Sequence, residues 1–104
     1  MIEIRTYQDA HGCYPFDEWL SGVRDERAAA RVKVRLARLK QGNEGDRKSV
    51  GDGVMELRIR EGQGYRVYYT WDGNAVVLLL VGGNKSTQAK DIALAKEYRR
   101  DYYA

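Results

Sequence analysis

The chain has 104 residues, 43% of them hydrophobic and 32% charged, with a net charge of +3 and a pI near 9.1. That length suits one domain, 1–104, with a single core. The lone cysteine, Cys13, excludes an internal disulfide, and the lone histidine, His11, argues against histidine-based metal sites and a serine–histidine–aspartate triad, so no metal and no other cofactor is expected.

Ile2 and Ile4 alternate with Glu3 and Arg5, which predicts a first strand over 2–7, with no signal-peptide pattern ahead of it. Pro15, with Asp17 and Glu18 behind it, starts a short helix whose apolar stripe is Phe16, Trp19 and Leu20 and whose stop is Gly22. Asp25 caps a longer helix that runs to about Lys40, with Gly42 just past its end. Ala28, Val32, Leu36 and Leu39 recur along it at helical spacing. Gln41 to Gly53 holds four glycines and five charged residues and is expected to be a loop.

Two strands follow. In Val54–Arg60, Met55, Leu57 and Ile59 face one way and Glu56, Arg58 and Arg60 the other. In Gly64–Trp71, Tyr65, Val67, Tyr69 and Trp71 share a face, and Arg66, Tyr68 and Thr70 share the opposite one. Asp72-Gly73 signals a tight hairpin. Ala75–Val81 is apolar on both sides, which predicts a central strand and is far too short to cross a membrane. Gly82-Gly83-Asn84 is expected to break it. Ser86 or Thr87 caps a last helix to about Tyr102, with Ile92, Ala95 and Tyr98 inward. The order β-α-α-β-β-β-α predicts an α+β fold. Its sheet has four strands, mostly antiparallel, with the first strand at an edge, two N-terminal helices and one C-terminal helix.

Matching apolar faces requires even positions of the two alternating strands to pair with even ones. Arg58 and Arg66 then lie opposite or one diagonal apart. Close like charges on a sheet suit a place where an anion sits, and phosphate is the obvious one. A two-residue hairpin at Asp72-Gly73 would bring Lys85 out on the same face, beside Glu56, with the start of the last helix and Asp91 near by. Cations and a carboxylate without metal ligands fit metal-free RNA cleavage, in which the ribose 2′-OH attacks its own phosphate. Arg58, Arg66 and Lys85 would hold and stabilise the phosphate, and Glu56 or Asp91 would move protons. The same residues also suit a plain surface ion network. Between Val23 and Lys48 nine Lys or Arg face four acids, a local excess of five positive charges that favours a polyanionic partner. Arg35, Arg38, Lys48 and Arg60 are candidate RNA contacts. Tyr68, on the polar face, is a candidate to stack a base or to cover the sheet.

The elements Gly53-Val-Met-Glu-Leu-Arg-Ile59, Gly64-Tyr-Arg-Val-Tyr-Tyr69 and Gly82-Gly-Asn-Lys-Ser-Thr-Gln-Ala-Lys-Asp-Ile92, together with Arg35–Asp46, resemble the RelE/ParE superfamily of toxins. The resemblance covers nearly the whole chain and is nearest to the HigB-like, phage-derived addiction module killer branch. It implies a small cytoplasmic α+β toxin with a cognate antitoxin, often a helix-turn-helix protein, and mRNA on the ribosome as target. The family's basic sheet residues correspond here to Arg58, Arg66 and Lys85. Gln88-Ala-Lys-Asp-Ile92 lacks the tyrosine or histidine that relatives place near the start of the last helix, and Glu56 stands where many carry lysine. The resemblance also allows a ParE-like poison of DNA gyrase without nuclease activity, or a degenerate protein that only binds its antitoxin.

Overall fold

In the computed structural model, which describes all 104 residues, the order is β1 (Glu3–Thr6), α1 (Pro15–Ser21), α2 (Glu26–Lys40), β2 (Arg47–Gly51), β3 (Val54–Ile59), β4 (Tyr65–Asp72), β5 (Val76–Asn84), a 3-10 turn (Lys85–Thr87) and α3 (Gln88–Tyr103). Pro15 opens α1, and the Asp25 carboxylate accepts from the Ala28 N–H at 3.1 Å to cap α2. Gly42, at φ 89°, turns the chain out of α2 while its N–H and that of Asn43 satisfy the last helical carbonyls.

The sheet has five strands in the order β1-β5-β4-β3-β2, with β1 parallel to β5 and every other pairing antiparallel. This corrects the four-stranded expectation. The segment expected as a loop contains β2, an edge strand with Arg47, Lys48 and Ser49 exposed, joined to β3 by a tight turn at Asp52-Gly53 with both residues at positive φ. Asp-Gly suits that turn because both central residues need left-handed backbone.

The last strand also runs further than expected, through Gly82 and Gly83. There the glycines admit close neighbours. A Cβ on Gly82 would lie 2.1 Å from the Trp19 indole, and one on Gly83 would lie 1.7 Å from an Asp91 oxygen. The β4–β5 connection spans three residues, Gly73–Ala75, because Asp72 pairs with Val76. A register shift at Tyr68/Tyr69, with Leu80 as the extra residue, then pairs Tyr68 with Val81 and Arg66 with Gly83. The parity expected from a two-residue turn therefore arises from a bulge.

Helices cover both faces. Leu57, Ile59, Val67, Tyr69, Val77 and Leu79 pack with Phe16, Ala28, Val32 and Leu39 from α1 and α2. Val54, Tyr68, Leu78 and Leu80 pack with Ala95 of α3 on the other face. Each such fully buried Val, Leu, Ile or Phe side chain contributes about 1.5–3 kcal/mol. On that second face α3 covers Glu56 and Tyr68 completely and leaves the next cross-strand pair, Arg58 and Arg66, at the rim. No helix is long and apolar enough to cross a membrane.

Candidate active site

β3 and β4 place Glu56 opposite Tyr68 and Arg58 opposite Arg66. Glu56 is fully buried and forms the inner end of an ion network that reaches the surface through Arg66 and Lys48. Its Oε2 accepts from the Tyr68 hydroxyl at 3.0 Å and from Gln88 Nε2 at 2.8 Å, and Arg66 Nε lies 3.6 Å away. Lys48 Nζ stands 3.9 Å from Oε1. Oε1 and Arg66 Nε are both buried without a hydrogen-bond partner. Burial, and then the Glu56 carboxylate beside it, push the Tyr68 phenol far above its ordinary value, so Tyr68 stays a proton donor at neutral pH.

The Arg66 side chain is 15% exposed. It lines an open cleft of about 150 Å³ with Arg58, Arg60 and Gly64. Arg58 does not turn towards Glu56. Its Nη2 bonds Asp46 Oδ1 at 2.9 Å, while Arg60 Nε takes Asp46 Oδ2 at 3.0 Å. The hydrogen bond from Arg60 foremost, with that of Arg58 and the charges of both, holds Asp46 below the usual carboxylate range against the opposing effect of burial. Arg35 lies beneath and donates to three carbonyls, those of Arg58, Glu44 and Asp46. Burial pulls the Arg35 pKa down, and Asp46 opposes that pull.

At the end of the sheet the exposed Lys85 donates its backbone N–H to the Gly64 carbonyl at 3.1 Å, which sets the 3-10 turn beside the β3–β4 connection. Asn84 caps that turn by accepting from the N–H groups of Ser86 and Thr87. Asp91 is buried, bonded by the Thr87 hydroxyl and pressed against Gly83.

Of the expected residues, Arg58, Arg66 and Lys85 reach one end of the sheet, although Arg58 is shared with Asp46. Glu56 and Asp91 lie beneath that surface. Arg38, Lys48 and Arg60 are exposed. One expectation is corrected: Arg35 is a buried clamp on a loop. Of the two roles open to Tyr68, its full burial fits covering the sheet. Asp46 and Gln88 carried no expected role, and Thr87, expected only as a helix cap, bonds Asp91. Gln88 and Asp91, at i and i+3 on α3, are polar residues on its inward side, and that spacing was the available signal.

The family described as "Phage derived protein Gp49-like" matches residues 18–100, which include Glu56, Arg58, Arg66, Lys85 and Asp91. An "Uncharacterized protein" of Haemophilus influenzae (strain ATCC 51907 / DSM 11121 / KW20 / Rd) is 57% identical over 81 residues, covering 78% of this chain and 82% of that protein. The chain belongs to the Gp49-like phage-derived protein family, a RelE/ParE-like toxin family.

Proposed function

We propose that this chain is the toxin of a type II toxin–antitoxin module, of the HigB-like branch, and that it cleaves ribosome-bound mRNA without a metal. The observation that carries the reading is Arg66, a guanidinium set at the mouth of a cationic cleft over the buried Glu56. Rigid strand placement of this kind suits a phosphate seat.

Arg66, with Arg58 and Lys85, binds the scissile phosphate and stabilises the charge that grows on it as the 2′-OH attacks, its proton passing to water while the P–O5′ bond breaks and the 5′-oxygen takes a proton from water, to leave a 2′,3′-cyclic phosphate and a 5′-OH. Glu56 is a positioning residue for Arg66, and Asp91 fixes the start of α3 through Thr87. Both carboxylates lie below the surface, so neither serves as the general base in this arrangement. A centre without a positioned base forgoes about 10²–10⁴ in rate. It relies instead on in-line orientation of the attacking oxygen. In this reading an mRNA held by the ribosome supplies that orientation. Lys48 and Arg60 guide the flanking backbone. An antitoxin, in this reading a helix-turn-helix protein with an acidic segment, masks the cationic face.

The test is expression from a tight promoter, with growth, mRNA 5′ ends and DNA breaks followed together. Growth arrest with new mRNA 5′ ends supports the reading. Arrest with intact mRNA and gyrase trapped on DNA assigns a ParE-like action instead. Full expression without arrest indicates a chain that only binds its antitoxin.

A further inference from the structure

Five arginines converge on a concave site of about 350 Å³ between α2 and the end of β3: Arg31, Arg35, Arg38, Arg58 and Arg60. Asp46 is the one acid among its lining residues, and no apolar side chain lines it. Arg58 and Arg60 hold opposite oxygens of that carboxylate, and Arg35 is occupied by carbonyls. Arg31 and Arg38 flank Arg35 on α2 and are exposed, and their guanidiniums make no hydrogen bond or ion pair. They lower the Arg35 pKa, as close like charges do.

Two features suggest what this site takes. A carboxylate gripped by two guanidiniums presents the same pair of oxygens as a phosphate gripped by them. The lining lacks an apolar anchor of the kind that protein interfaces are built around, whereas a phosphodiester needs only the charge. We propose that the arginine cluster around Asp46 is a phosphodiester-binding site for single-stranded RNA, continuous with the Arg66 centre through Arg58 and Arg60 and extending it along α2. In it, Asp46 holds Arg58 and Arg60 in place until a phosphate competes for them. The identification of the polyanion as RNA rests on the proposed function. Arg58 and Arg60 also line the cleft beside Arg66, so one strand can lie across both sites.

The probe is a fluorescent, fully 2′-O-methylated 12-nucleotide RNA, which 2′-OH attack cannot cleave. Its binding is followed by anisotropy as salt is raised. The Arg31→Ala/Arg38→Ala double variant is expected to keep its Tm, because neither side chain has a partner. It is expected to bind at least about tenfold more weakly near 100 mM salt, with a log–log salt slope lower by about 1.4, or 0.7 per lost phosphate contact on a single strand. Asp46→Asn is expected to bind the RNA more tightly than wild type, and inorganic phosphate is expected to raise its Tm more than that of wild type. Unchanged affinity and slope in the double variant would overturn the site, as would a double variant that loses only a polyglutamate peptide. If Arg66→Ala abolishes mRNA cleavage while the double variant binds RNA normally, this site is refuted and the proposed function stands. If the double variant loses RNA while Arg66→Ala cleaves normally, the site stands and the Arg66 assignment fails.

Discussion

Arg58 and Arg66 stand directly opposite each other on β3 and β4, yet each has its own carboxylate: Asp46 for Arg58 and Glu56 for Arg66. Like charges facing across a sheet are unfavourable. The molecule relieves this by turning Arg58 outward to an exposed loop and keeping Arg66 against a buried acid. One arginine is thus exchangeable with solvent and ligand, and the other is fixed.

This division sets different costs for the two carboxylates. Glu56→Ala leaves Tyr68, Gln88 and the buried Arg66 Nε without their acceptor or counter-charge, and is expected to cost about 3 kcal/mol of stability. Asp46→Ala, at a half-exposed pair, is expected to cost about 1 kcal/mol or less. Urea unfolding of the two variants checks the order.

Gly83 is expected to tolerate no side chain. Gly83→Ala drives a methyl group into Asp91 and the Thr87 hydroxyl, at 1.7 and 2.8 Å, and so displaces the start of α3. The expected loss is about 1–3 kcal/mol. Gly73→Ala is the control for positive φ alone, because nothing lies within 4 Å of its Cβ. Thermal unfolding of both should find Gly83→Ala the less stable.

Glu44 carries an acid-linked part of the stability. Its burial opposes ionisation, but hydrogen bonds from the Tyr69 hydroxyl at 2.6 Å and Trp71 Nε1 at 3.2 Å, with Arg47 near by, prevail and hold its pKa below the ordinary value. A carboxyl lowered by folding stabilises fully above its unfolded value, near 4.3 for glutamate, and loses that contribution as pH falls through the folded one. Glu44→Gln should therefore be less stable than wild type at pH 7 by about 1 kcal/mol, with the difference shrinking in acid. A gap that widens below pH 4 would contradict this.

Arg35 is expected to matter for folding more than for RNA. Arg35→Ala removes a cation that ties the α2–β2 loop to β3 through three carbonyls. The expected cost is about 3 kcal/mol, at roughly 1 kcal/mol per bond. Hydrogen exchange should report faster opening around Glu44–Asp46.

These residues also mark what the sequence could reveal. The alternation of β3 and β4 is plain because each has one face under α1 and α2, and it placed Arg58 and Arg66 together. β2 has no buried face, so its only clue was Asp52-Gly53. Arg35 takes a buried helical position because three carbonyls satisfy it, and no periodicity reveals that. Leu80, the bulge residue, is hidden in a run of identical leucines. The burial of Glu56 follows from Gln88 and Asp91 at the start of α3, polar residues that turn inward. An alternating strand cannot report which helix will cover its polar face.

The central claim is that Arg66 holds the phosphate of a cleaved mRNA. It is tested most directly with purified wild type and Arg66→Ala on ribosomes translating a defined mRNA, with 5′ ends mapped by primer extension and folding checked by thermal melting. Cleavage by wild type is expected, with a loss of about 2–4 kcal/mol in transition-state stabilisation in the variant, roughly a hundredfold or more in rate, in a protein that melts lower because the buried Glu56 loses its counter-charge but is still folded at the assay temperature. A folded Arg66→Ala that cleaves at the wild-type rate would contradict that claim.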